Sequence, residues 1–119
     1  MSYLKQRIRA FGFAFSGIIN ALKNETHLQL QLLIALFVIV LAFFFSITKF
    51  EWLILLSCIS LVLALEMLNS AIEKLCDVYT KEQDPRIKYI KDVCAGAVLI
   101  AAIFSLIIGL IIFLPYVLG

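Results

Sequence analysis

Four polar side chains interrupt a long apolar run: Glu66, Asn69, Glu73 and Asp77. At 100° per residue they fall within roughly 80° of one helix face. Three carboxylates and an amide on one stripe suit a hard divalent cation and proton transfer from an alcohol. Glu66 is the informative member. A carboxylate near the bilayer centre costs roughly 2.5–3.5 kcal/mol on insertion scales. Its short side chain cannot snorkel to the headgroups as a lysine does. The stripe therefore reads as a polar site that faces protein rather than lipid. Glu73 and Asp77 alone would also suit ordinary helix-end charges.

Further candidates lie elsewhere in the chain. Glu25 stands just before the first apolar span and Lys91-Asp92 at the start of the third. Glu25 and Glu73 flank two span ends on one side of the membrane and can share a magnesium ion. Mg²⁺ is commonly held by one or two carboxylates plus substrate phosphates. Lys91 can neutralise phosphate charge, and the helix N-terminus around it favours an anion. Glu66 is deeper, level with a lipid headgroup hydroxyl, where a carboxylate suits a general base. The chemistry assembled this way is phosphoryl transfer from a nucleotide to a membrane alcohol. No P-loop and no kinase-type glycine loop is present, so carboxylates, metal and scattered basic residues would hold the nucleotide. From spacing alone, the charged segment 74–92 reads equally well as a solvated connector.

The elements that must position these residues are helices in a membrane. The chain has 119 residues, and its 64% hydrophobic content is well above that of a soluble domain. We read one all-α integral membrane domain, residues 1–119, with no removable signal peptide. Leu4, Ile8, Phe11, Phe15, Ile18 and Leu22 form one face of an N-terminal amphipathic surface helix at about 3–22. Spans follow at about 28–48, 52–72 and 93–114, each near the ~20 residues that cross a bilayer. Lys49–Trp52 reads as a turn between the first two, 74–92 as a loop between the last two, and Pro115 as the end of the third helix. Glu66 lies about 14 residues past Trp52, or ~21 Å along the helix, in the far third of the bilayer. Ser57, Ser60, Ala64 and Ala71 give span two a small-residue face, and Ala97, Ala101, Ser105 and Gly109 do so for span three. Lys5, Arg7, Arg9, Lys23 and the basic residues of 74–92 place the N-terminus and second loop in the cytoplasm and the C-terminus outside. Cys58, Cys76 and Cys94 have neither metal-ligand nor disulfide spacing and read as apolar helix residues. The single histidine, His27, reads as an interfacial hydrogen-bonding group.

The run Glu66-Met67-Leu68-Asn69-Ser70-Ala71-Ile72-Glu73, with Asp77, resembles the signature of the prokaryotic diacylglycerol kinase and undecaprenol kinase family. Lys91-Asp92, followed by Ala95-Gly96-Ala97-Val98-Leu99, and Asn24-Glu25 are two further matches, and the three blocks fit without gaps. The resemblance implies a homotrimer in the bacterial inner membrane, with composite sites between subunits and ATP as donor. It implies Glu66 as catalytic base, with Asn69 orienting the base or the acceptor. Glu25 and Glu73 would hold the Mg²⁺ that bridges ATP. Asp77, Lys91 and Asp92, with Glu82 and Asp84 in the loop, would complete the nucleotide contacts. Phe13 and Gly17 would border the lipid entrance. Cys94-Ala95 and Gln31 depart from the diacylglycerol kinase pattern, Asp84-Pro85 resembles the His-Pro of the undecaprenol kinase branch with Asp in place of His, and the Ala-Gly-Ala-Val run leans toward that branch too. The acceptor lipid therefore stays open between diacylglycerol and undecaprenol.

Two other classes compete with this reading, and none of the three calls for nucleic acid. A small multidrug or ion transporter also buries a lone glutamate, but near midplane with access from both sides. A non-catalytic membrane subunit would use its small-residue seams for assembly alone and would tolerate Glu66→Gln.

Overall fold

The computed structural model describes residues 2–119. They form four helices: α1 Tyr3–Asn24, α2 Thr26–Phe45, α3 Lys49–Tyr79 and α4 Pro85–Leu118. The expected all-helical architecture is present, and α2, α3 and α4 are long and apolar enough to cross a membrane.

Local chemistry sets each boundary. The Ser2 hydroxyl caps α1 by accepting from the Lys5 N–H at 3.3 Å. A single extended residue, Glu25, separates α1 from α2. At the far end of α2, Ser46 takes a left-handed conformation at φ 52°. Its N–H donates to Phe43 O at 3.2 Å, and the next N–H, of Ile47, donates to Ala42 O at 3.3 Å. This paired pattern is a Schellman stop, and the accompanying Ile47 is buried. Thr48 then opens α3 with a capping box. Its hydroxyl accepts from Glu51 N at 3.2 Å, and the Glu51 carboxylate accepts from Thr48 N at 2.9 Å. The turn is thus Ser46–Thr48, and Lys49–Trp52, expected as the turn, is the first turn of α3.

The second connection is also shorter than expected. α3 runs on to Tyr79 and α4 begins at Pro85, so most of 74–92 is helical. Asp84 caps α4 through the Arg86 N–H at 2.9 Å, and Pro85 at the first helical position supplies a preset φ. Charged residues placed outside the bilayer are compatible with helix when the termini are capped. At 1.5 Å per residue the 31 residues of α3 span ~46 Å, well beyond a ~30 Å hydrocarbon core. Pro115 does not end α4, which continues to Leu118. The proline sits in the last turn, where it removes one backbone hydrogen bond, and its own carbonyl accepts from Gly119 N at 2.9 Å.

α4 packs mainly on α3, α2 packs on α3 and meets α4 at the end nearest the α2–α3 turn, and α1 packs on α2. Leu28, Ala35 and Ala42 are buried along α2, and Leu55, Val62 and Cys76 along α3. These positions recur at sevens, the period that keeps one helical seam facing its neighbour. A tight cluster of Ala42, Ile47, Leu55 and Ile112 closes the bundle at the α2–α3 turn. Phe45 packs there at 5.9 Å from the Tyr116 ring and 6.2 Å from Phe113.

The chain alone exposes 9111 Å². A compact soluble monomer of 13.4 kDa would expose roughly 6,500 Å². The excess is apolar: Phe37, Phe44, Leu106 and Ile111 are among many large side chains left uncovered. Ser57, Ser60, Ala64 and Ala71, the small face of α3, are uncovered too.

Candidate functional site

Glu66 is the one charged residue buried among the described residues, at 6% exposure. Its position follows from the helical screw. Glu66 lies one turn from Val62 on the face that α3 turns toward the bundle. The same face carries Asn69 and Glu73 one and two turns on, both half-buried, and then Asp77, which is exposed. The stripe thus descends from the protein interior into solvent, as the spacing predicts.

The Asn69 amide donates to Glu73 Oε1 at 3.4 Å, a weak bond by distance. Its other atom, Oδ1, is enclosed with no partner. A buried acceptor left unpaired costs free energy, and such groups call for an explanation. The Asn69 amide thus contacts Glu73 within the chain, and its Oδ1 stays available to a further donor. Asp77 accepts from Lys91 Nζ at 2.8 Å, which joins the end of α3 to the second turn of α4. Lys88 donates to Asp92 at 2.6 Å within α4. Asp84 is gripped by Arg86 through both side-chain oxygens, Nε at 3.2 Å and Nη2 at 2.8 Å. This clamp, together with the Arg86 backbone N–H, holds the Asp84 carboxyl down to about 2. Glu82 is exposed, and its N–H donates to Thr80 Oγ1 at 3.0 Å.

Glu25 reaches the same end from the other side. It stands at the N-cap position of α2 but makes no side-chain capping bond, so its carboxylate is uncommitted. Its backbone closes α1 by donating to Ala21 O at 2.9 Å. Gln29 fixes that junction, with its amide donating to Leu22 O at 2.8 Å and Lys23 O at 3.2 Å. Glu25 lines a groove of about 350 Å³ between α1 and α3 that also holds Gly17, Ser70 and Lys74. A side chain added at Gly17 would meet nothing within 4 Å, so this glycine keeps the groove open rather than permitting a close contact. Phe13 is 69% exposed and does not line the groove.

The structure thus brings Glu25 to Gly17, Asn69 to Glu73, and Asp77 to Lys91. Phe13 and Glu82 stand apart. No set of three acidic, histidine or cysteine side chains forms a metal cage among the described residues. The two half-buried carboxylates Glu25 and Glu73 offer oxygen donors. Each is a donor of the kind that Mg²⁺ arriving with phosphates takes from a protein, one or two at a time. Ser70 and Lys74, to which the sequence gives no site role, also line this groove, four and eight residues after Glu66 at the edge of the acidic stripe.

An all-helical, multi-pass membrane protein with a carboxylate site at one end of its bundle is the class that fold and site define. The family model described as prokaryotic diacylglycerol kinase matches residues 12–113. The chain is 37% identical to the undecaprenol kinase of Bacillus subtilis over 112 residues, covering 94% of this chain and 91% of that one. It is 34% identical to the diacylglycerol kinase of Haemophilus influenzae, covering 92% and 94%. It is 32% identical to the diacylglycerol kinase of Escherichia coli K12, covering 84% and 82%. The chain belongs to the prokaryotic diacylglycerol kinase family and is a lipid kinase.

Proposed function

We propose that this protein transfers the γ-phosphoryl group of MgATP to the hydroxyl of a membrane lipid, diacylglycerol or undecaprenol. The observation that carries the reading is the buried Glu66 at the head of a stripe that runs out to solvent. In this reading Glu66 takes the proton of the lipid hydroxyl. The lipid oxygen forms a bond to the γ-phosphorus, the bond from phosphorus to the β–γ bridging oxygen breaks, and ADP leaves. Glu25 and Glu73 would hold Mg²⁺, which supplies charge neutralisation on the triphosphate. Asn69, whose Oδ1 has no partner within the chain, orients the base or the acceptor. Lys91, Asp77 and Asp92, with Glu82 and Asp84 at the connection, contact the nucleotide once Asp77 is released from Lys91, Asp92 from Lys88 and Asp84 from Arg86.

The same reading sets the surroundings. α1 lies in the membrane interface with Phe13 and Gly17 at the lipid entrance, since its apolar residues find no cover within the chain. Three copies pack through the small-residue faces of α3 and α4, and the site is completed between subunits. The N-terminus and the α3–α4 connection face the cytoplasm of the inner membrane, where the nucleotide is.

The test is direct. Purified protein is incubated with MgATP and a panel of lipid alcohols, and the products are identified by mass spectrometry. Phosphorylation of diacylglycerol or undecaprenol is expected. No product from any alcohol in the panel would overturn the reading.

A further inference from the structure

The groove between α1 and α3 contains a cation that the site described above does not use. Lys74 lines it with Ser70, and Glu25 and Gly17 line it as well. Among the described residues Lys74 makes no ion pair, whereas Lys91, Lys88 and Arg86 are each held by an aspartate. By the helical screw Ser70 lies about 40° and Lys74 about 80° around α3 from Glu66. Both therefore stand where the groove meets the acidic stripe. Elsewhere the groove is apolar, with Ile18 and Met67 among its walls. One region thus suits hydrocarbon and the other suits charge, which matches a lipid whose polar end points toward the stripe.

The reaction's charge balance gives Lys74 a task. A phosphate monoester carries a charge of about −1.5 to −2 near neutral pH. Once formed on the lipid, it stands at the acidic stripe, where the carboxylates of Glu73 and Asp77 disfavour it by like charge. An unpaired ammonium at the edge of the groove offsets that repulsion on the lipid's side of the site.

We propose that Lys74 is the ligand for the phosphate of the lipid product, and that the α1–α3 groove is where the phosphorylated headgroup rests. The inference rests on the lipid-kinase reading for the origin of that phosphate. A lysine that merely marks the cytoplasmic side of the membrane would show no preference between phosphorylated and neutral lipid.

The experiment measures binding of short-chain phosphatidic acid and of the matching neutral diacylglycerol in detergent micelles, without turnover. Wild type, Lys74→Met, Lys74→Arg and the control Lys23→Met are compared. Loss of a charge-assisted contact should weaken phosphatidic acid binding about tenfold in Lys74→Met. Lys74→Arg and Lys23→Met should match wild type, and neutral diacylglycerol binding and the KM for ATP should not move. Lys74 is exposed, so the substitution spares the packing. Equal phosphatidic acid binding by Lys74→Met and wild type would overturn the proposal, as would an equal loss in Lys23→Met or no binding by wild type. A protein that phosphorylates no lipid would sink the kinase reading, while this binding comparison would still decide the role of Lys74.

Discussion

The Lys91 ammonium lies 2.8 Å from Asp77 Oδ1 and fastens the second turn of α4 to the last turn of α3. Both residues are assigned to the nucleotide in the proposed reaction. In that reaction the pair would be a resting contact that the triphosphate displaces.

Separating those two roles is possible because the pair is exposed and exposed pairs add little to stability. Lys91→Met should raise the KM for ATP about tenfold while thermal unfolding barely changes. The exchange Asp77→Lys with Lys91→Asp should restore the ion pair but not the KM. Recovery of ATP affinity by the exchange would show that the pair itself, and not its contact with phosphate, matters.

Glu66→Gln keeps the size and shape of the side chain and removes its basicity. Loss of a general base costs about 10²–10⁴-fold in rate. We expect kcat to fall by that factor, with helicity by circular dichroism and the KM for ATP unchanged. Normal turnover by this variant would reject the assignment of Glu66.

Asp84 gives a pH prediction with a definite sign. Its carboxyl is held down to about 2, from the ordinary value of 3.8, by the Arg86 side chain and backbone N–H. A depressed carboxylate contributes stability that is present above 3.8 and is lost as pH falls toward about 2. Acid unfolding curves of wild type and Asp84→Asn should therefore converge between those values and differ at neutral pH. Curves separated by a constant gap down to pH 2 would count against the clamp.

The closed end of the bundle should govern stability and leave chemistry alone. Ala42 has no exposed surface, so Ala42→Leu forces the Ile47–Leu55–Ile112 cluster apart. Overpacking of this kind costs roughly 1–3 kcal/mol. Tyr116→Phe removes the bond that the Tyr116 hydroxyl donates to Glu51, and should lower the melting temperature to a smaller extent. In both variants kcat per folded molecule should equal that of wild type. A selective fall in kcat would show that the two ends of the bundle are coupled.

Much of this protein follows from residue order alone, because in a bilayer hydropathy and helix period are nearly sufficient. Apolar run lengths give three spans, since every backbone polar group in hydrocarbon must be satisfied within its own helix. The screw of one helix puts Glu66, Asn69, Glu73 and Asp77 on a common face, and no tertiary contact is needed to know it. Helix ends were less legible: Thr48–Glu51 is a capping box and Asp84-Pro85 a helix start, yet hydropathy marks where lipid ends rather than where helix ends. The remaining relationships lie between elements. Pairing Lys91 with Asp77 depends on how α4 leans on α3. Bringing Glu25 and Gly17 to Ser70 and Lys74 depends on where α1 settles after Gln29 has tied it to α2. Those distances are set by packing between segments far apart in the chain, and no local period encodes them.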